Sequence, residues 1–122
     1  MPRFVILRHA APPEFSRPDH YDLMFEQGQV LWTWACAKLP DESGSAVEAE
    51  RLPDHRPLYL DFEGEVSGGR GVVRRVDDGE YDLLSCEVAE ICIRLRSTQR
   101  ECTWILTLED GNAQRWRIAL IP

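Results

Sequence analysis

Three histidines occur in the chain, His9, His20 and His55, and each stands beside a break between a strand-like run and a loop. Binding groups are commonly carried at such places, on loops held by a rigid scaffold. His20-Tyr21-Asp22 is the most chemically suggestive spacing. In an extended chain, residues i and i+2 project from the same face about 7 Å apart, so an imidazole and a carboxylate can converge on one ion. His9, at the end of the preceding apolar run, supplies a third ligand if the two segments are neighbours. Two neutral imidazoles and one carboxylate leave coordination positions open for water and substrate, as a catalytic ion requires. A bare His-x-Asp pair is also common on solvated surfaces, so spacing alone leaves that alternative open.

The charge balance limits what such a site would serve. The chain has 122 residues, with 14 Lys and Arg against 21 Asp and Glu, a formal net charge of −7. This length supports one apolar core without disulfide or metal staples. Bulk electrostatic binding of nucleic acid needs a basic surface, which the acid excess argues against. Residues 41–65 hold eight acids and two bases, whereas Arg70, Arg74 and Arg75 lie within six residues with no acid between them. No apolar run approaches the ~20 residues that a bilayer demands, and the chain opens without a signal-like apolar core, so a cytoplasmic, non-membrane protein is expected. Cys36, Cys86, Cys92 and Cys102 include no CxxC pair and are expected to be small buried hydrophobes, not zinc ligands.

The elements that must position the histidines are short and β-like. Residues 3–8 contain Phe4-Val5-Ile6-Leu7, a continuous apolar run fitting a strand covered on both faces. Pro12, Pro13 and Pro18 make 10–19 a break. Residues 21–26 alternate, with Tyr21, Leu23 and Phe25 on one face and His20, Asp22, Met24 and Glu26 on the other. Gln27-Gly28-Gln29 reads as a hairpin turn into a strand over 30–38. Residues 39–56 read as a polar excursion, with one or two helical turns over 46–52. Further strands are expected over 58–62, 72–76, 81–86, 91–96, 102–108 and 116–121, with breaks at 67–71, 77–79, 97–100 and 109–112. About nine short strands without an amphipathic helix imply an all-β fold, a small closed or partly open barrel or a sandwich.

Three blocks then resemble one family. His20-Tyr21-Asp22-Leu23-Met24-Phe25-Glu26, with Val30-Leu31 and Trp34-Ala35-Cys36-Ala37-Lys38, is similar to the HYDxRLE and GVLxSWAxPK run of the 3′-phosphoesterase domain of bacterial DNA ligase D. Leu52-Pro53-Asp54-His55-Arg56-Pro57-Leu58-Tyr59-Leu60-Asp61-Phe62-Glu63-Gly64 resembles that family's EDHPLEYxDFEG, and residues 3–9 resemble its opening FVVQKH. The likeness spans roughly residues 3–82 and places all three histidines where the family has one.

The resemblance implies a single phosphoesterase-like β-barrel domain over residues 1–122 that trims nucleic-acid 3′ ends in DNA repair. It would remove a 3′-terminal ribonucleoside and then the exposed 3′-phosphate. His9, His20 and Asp22 would be metal ligands, with manganese as the expected ion and zinc or cobalt as alternatives. His55 and Tyr59 would contact the phosphate or the water near it, and Glu26 would support them. The chain departs from the pattern at Met24, where the family has an arginine whose planar fork suits a phosphate. It also has a longer spacing from His9 to His20, a different loop at 67–71, and only eight residues before His9. Arg8, Lys38 and Arg70 are the cations that would replace the missing guanidinium. A divergent, stand-alone relative is therefore expected, with a catalytically weak or inactive metal- or end-binding module as the second reading. The third is an interaction domain whose histidines are structural and whose Trp32, Trp34, Trp104 and Trp116 line a binding face instead of the core. Alternation places Met24 beside His20 and Asp22, so it is expected to border the site and not the core.

Overall fold

The computed structural model describes residues 1–12, 18–66, 68–109 and 113–121. Among the described residues nine strands follow one another: β1 (Arg3–Ala10), β2 (His20–Gln27), β3 (Val30–Cys36), β4 (Val47–His55), β5 (Gly64–Glu65), β6 (Val72–Cys86), β7 (Glu90–Arg96), β8 (Glu101–Leu108) and β9 (Arg115–Ile121). A 3₁₀ turn over Pro57–Leu60 lies between β4 and β5. The strands pair in the order β1-β2-β3-β4-β9-β8-β7-β6, and β6 returns to β1. Every pairing is antiparallel, so the protein is a closed eight-strand barrel with β5 added on β6. Closure removes the free sheet edges that an open sheet would present. Among the described residues no helix is long and apolar enough to cross a membrane.

The apolar run in β1 is explained by two separate cores. Phe4 and Ile6 face the barrel interior with Leu23, Phe25, Trp34 and Trp104. Val5 and Leu7 face outward, where Met24, Leu31, Leu60, Val66 and Val73 form a second cluster covered in part by Tyr59 and Phe62. Burying each such side chain contributes about 1.5–3 kcal/mol before entropy, which no one-sided strand obtains from consecutive residues. Trp34, Trp104 and Trp116 are core residues, while Trp32 is partly buried with the Arg51 guanidinium over its ring. Cys36 is buried, but Cys86 is exposed at the end of β6, contrary to expectation, and Cys92 and Cys102 are half-buried; all four are free.

Three segments depart from the sequence reading. The polar excursion with a helical turn is instead β4, whose Val47 and Ala49 point inward while Glu48 and Glu50 point out. A barrel strand needs apolar residues only at alternate positions, and two small ones among acids gave too little signal. Residues 58–62 are not a strand: Pro57 opens the 3₁₀ turn, which aims Leu60 into the outer cluster. The two strands expected over 72–76 and 81–86 are one strand, because Asp77-Asp78-Gly79 is not a turn. Residue Gly79 is needed for close approach, since a Cβ there would lie 2.1 Å from the Arg96 carbonyl oxygen. Extra residues opposite Ile6/Leu7 and Ile93/Cys92 place bulges in β6, and these bend it between β1 and β7. The expected breaks at 10–19, 67–71 and 109–112 lie partly outside the described residues.

Asp77 holds the β7–β8 turn against the first bulge. This carboxylate is 3% exposed and accepts from Arg100 Nε at 2.6 Å, Ser97 Oγ at 2.9 Å and its neighbour's Asp78 N–H at 2.9 Å. Gln99 adds a bond from its amide to the Val76 carbonyl. Removing the carboxylate strands a largely buried guanidinium. Asp77→Ala is therefore expected to destabilise the fold by about 2–4 kcal/mol, read as a lower urea midpoint with an unchanged slope.

Candidate metal centre

β1 and β2 bring the candidate ligands together through their register. His9 lies directly opposite His20 in the ladder, and Asp22 lies opposite Leu7 on the same outward face. Their ligand atoms all lie within 4.8 Å of one another. Asp22 Oδ1 is 3.0 Å from His20 Nε2, and Asp22 Oδ2 is 3.5 Å from His9 Nδ1. Two donors each about 2.1 Å from one ion are separated by roughly 3.0–3.5 Å at octahedral or tetrahedral angles, so both distances fit a shared first-row cation.

The far side of each ring fixes which nitrogen has the lone pair. His20 Nδ1 is 2.9 Å from the Pro18 carbonyl and His9 Nε2 is 2.6 Å from the Arg70 carbonyl. A carbonyl only accepts, so both ring nitrogens must donate to it, leaving Nε2 of His20 and Nδ1 of His9 to face Asp22. Neutral rings would then oppose lone pairs to a carboxylate that is 4% exposed. Asp22 Oδ1 is buried without a hydrogen bond despite its short distance to His20. Such an arrangement is relieved by a proton or by a cation, and the donor set of two imidazoles and one carboxylate fits a divalent ion. Without a cation, Asp22 hydrogen bonding raises the His9 pKa against the opposing effect of burial, and the Arg70 carbonyl reinforces the rise. Burial opposes the Asp22 charge most strongly, yet both imidazoles outweigh it and hold that carboxyl below its ordinary value. Cys36 is not a reactive neighbour, since burial and the Asp22 charge push its thiol up to about 12.

A glycine makes the His9 support possible. Gly71 has φ +105°, and a Cβ there would lie 2.2 Å from the Ala10 carbonyl oxygen. Only a glycine lets this loop close on β1 so that the preceding Arg70 carbonyl reaches the imidazole. The loop is tied off by the Val66 N–H bonding the Gly71 carbonyl at 2.8 Å.

The ligand cluster opens into a cavity of about 120 Å³, which His55, Tyr59, Met24 and Arg70 also line. At roughly 30 Å³ per water, this is room for about four waters or a small oxyanion. His55 closes β4 opposite Leu31, after a bulge that holds Pro53. Its Nδ1 donates to the Pro53 carbonyl at 2.8 Å, and its ring meets Tyr59 edge-on at 5.7 Å, with Phe62 behind Tyr59 at 5.7 Å. Met24 both lines this cavity and belongs to the outer core, being 1% exposed. The expected choice between site and core fails there because the outer face is itself covered.

Other sequence-selected residues lie elsewhere. Arg8 points away from His9, pairs with Asp19 at 3.6 Å and lies over the Tyr21 ring at 5.1 Å. Lys38 is exposed beyond the end of β3 and does not line the cavity. Glu26 is near the opposite end of β2, where its Oε1 accepts the Arg3 N–H at 3.0 Å. Sequence reasoning missed the carbonyls that orient the rings. The signal was present as a repeated Pro-Asp-His tripeptide, Pro18-Asp19-His20 and Pro53-Asp54-His55, in which the histidine donates to the proline carbonyl each time.

A family model for the DNA ligase D 3′-phosphoesterase domain matches residues 8–113, nearly the whole chain. The chain belongs to this family. No curated protein matches it. As a DNA ligase D 3′-phosphoesterase family member, it places the matched residues His9, His20 and Asp22 in one cluster and His55 and Tyr59 beside it.

In manganese titration calorimetry, the wild-type chain is expected to take up one ion, and Asp22→Asn or His20→Ala to bind none. Gly71→Ala should retain the barrel by circular dichroism and bind about 10- to 100-fold more weakly, because it displaces the carbonyl behind His9.

Proposed function

We propose that this protein is a divalent-metal-dependent phosphoesterase acting at nucleic-acid 3′ ends, releasing a terminal 3′-phosphate or a 3′-ribonucleoside during DNA end processing and repair. The observation that carries this reading is the opening of the His9, His20 and Asp22 cluster into the cavity lined by His55 and Tyr59. A bound manganese ion, or zinc or cobalt in its place, would neutralise a phosphate oxygen and activate water. The chain's own groups do the positioning. His9 and His20 are held as lone-pair donors by the Arg70 and Pro18 carbonyls, and Asp22 contributes the compensating charge. His55 has Nδ1–H committed to Pro53, so Nε2 is the nitrogen able to exchange a proton with the phosphate or leaving oxygen. The Tyr59 hydroxyl is a donor for the same oxyanion. Arg70 lines the cavity and is the cation best placed for the phosphate. A net charge of −7 makes the partner a strand end gripped locally, not a duplex held by bulk charge. A cytoplasmic location belongs to the same proposal.

Met24 favours a second reading in which turnover is slow. It lines the cavity without a hydrogen-bond donor, at the position where the motif it resembles carries an arginine. Losing a charge-assisted phosphate contact costs on the order of 2–4 kcal/mol, or ~30- to 1000-fold in rate.

The test is manganese-dependent phosphate release from a 3′-phosphorylated oligonucleotide. Activity is expected in the wild type, absent from His20→Ala and reduced about 10²- to 10⁴-fold in His55→Ala. Met24→Arg should raise kcat/KM. Manganese binding without release by either wild type or Met24→Arg would leave a metal-binding module and overturn the hydrolase reading.

A further inference from the structure

A second cavity, of about 410 Å³, adjoins the metal cluster at His20 and lies against residues of β2, β3, β4 and β9. Residue His20 lines both cavities. The strand register defines its course: Asp22 is opposite Ala35, Ala35 is opposite Glu50, and Glu50 is opposite Arg115. These four residues form one outward row over β2, β3, β4 and β9. With adjacent strands about 4.8 Å apart, the groove floor starts about 5 Å from the ligand Asp22, and Glu50 lies about 10 Å from it. Ala35 and Ala37 make the floor small and apolar, and Glu48 and Glu50 edge it with carboxylates.

We propose that this groove is the subsite for the nucleobase of the terminal nucleoside bearing the scissile phosphate, with preference for a base that has an exocyclic amine. The inference rests on the hydrolase reading of the adjoining cluster and adds the residues and chemistry that select the substrate. Its volume falls within the range of small-molecule sites, whereas the 120 Å³ cavity has room only for the phosphate end. Carboxylates at the groove edge repel a second phosphate and accept from N–H donors. Cytosine, adenine and guanine present an exocyclic amino group to such an acceptor, whereas the one ring N–H of thymine on that edge is flanked by two carbonyl oxygens that repel a carboxylate. The alanine floor lets a planar ring lie against the sheet without a side chain intervening.

The experiment compares wild type, Ala35→Leu and Glu50→Gln on oligonucleotides identical except for a 3′-terminal dC or dT phosphate. Hydrolysis of p-nitrophenyl phosphate, which has no base, and manganese affinity are the controls. Wild type is expected to favour dC over dT by about tenfold in kcat/KM, and Glu50→Gln to narrow that ratio. Ala35→Leu should lose about tenfold on both oligonucleotides, chiefly in KM, while p-nitrophenyl phosphate hydrolysis and manganese affinity stay within about twofold. Equal losses on all substrates, or no loss on any together with no base preference, would overturn the subsite. If no substrate is hydrolysed, the hydrolase reading fails separately. Titration with cytidine 3′-monophosphate then decides the groove: shifts of the Ala35 and Arg115 amides support it, and their absence overturns it.

Discussion

The Asp22 carboxylate is almost fully withdrawn from water, and an isolated charge in that position would cost several kcal/mol. Its compensation organises this side of the barrel. Two imidazoles face it from β1 and β2, and each is aligned from behind by a backbone carbonyl. One carbonyl comes from the segment entering β2, the other from the loop before β6, so the charge ties two distant stretches to one point. Oδ1 itself is buried without a hydrogen bond. The His9, His20 and Asp22 cluster built around this carboxylate could hold a metal ion.

The same constraint explains the outer core. Burial of Asp22 requires that the outward face of β1 and β2 be covered, and the 3₁₀ turn with Val66 and Val73 supplies that cover beside Leu7 and Met24. The cover also delivers Tyr59, while the end of β4 delivers His55, so packing and candidate chemistry share elements. The barrel interior lies on the opposite face of the same strands. Its aromatic contacts, such as Phe25 against Trp34 and Tyr81, fix the β1–β2–β3 sheet on which the cluster is mounted.

Met24 stands where the outer core meets the cavity. A methionine fills the gap between the outer core and the cavity with a flexible apolar chain. An arginine there would have to pass its stem along the same apolar surface and place its head in the cavity, which long side chains commonly achieve. An arginine at this position would therefore add a positive charge to the cavity while its stem keeps the apolar contact.

The sequence by itself determined the strand character of β1, β2, β3, β7, β8 and β9, since their apolar patterns are local and strong. It also determined the pairing of His20 with Asp22, because alternation in a strand is a matter of backbone geometry, and the motif likeness already selected His9, His55 and Tyr59. Only the tertiary structure decided that β4 is a strand, that β6 is continuous, and that outward on β1 and β2 means buried. Those outcomes depend on neighbours distant in the chain: β4 on pairing with β3 and β9, β6 on the bulges that let it serve β1 and β7, and the outer face on the turn that covers it. Arg8, Lys38 and Glu26 lie outside the cavity for a related reason. Residue type nominates a charge, but its face and its position along the strand decide whether it reaches the site, and those are set by register and barrel closure.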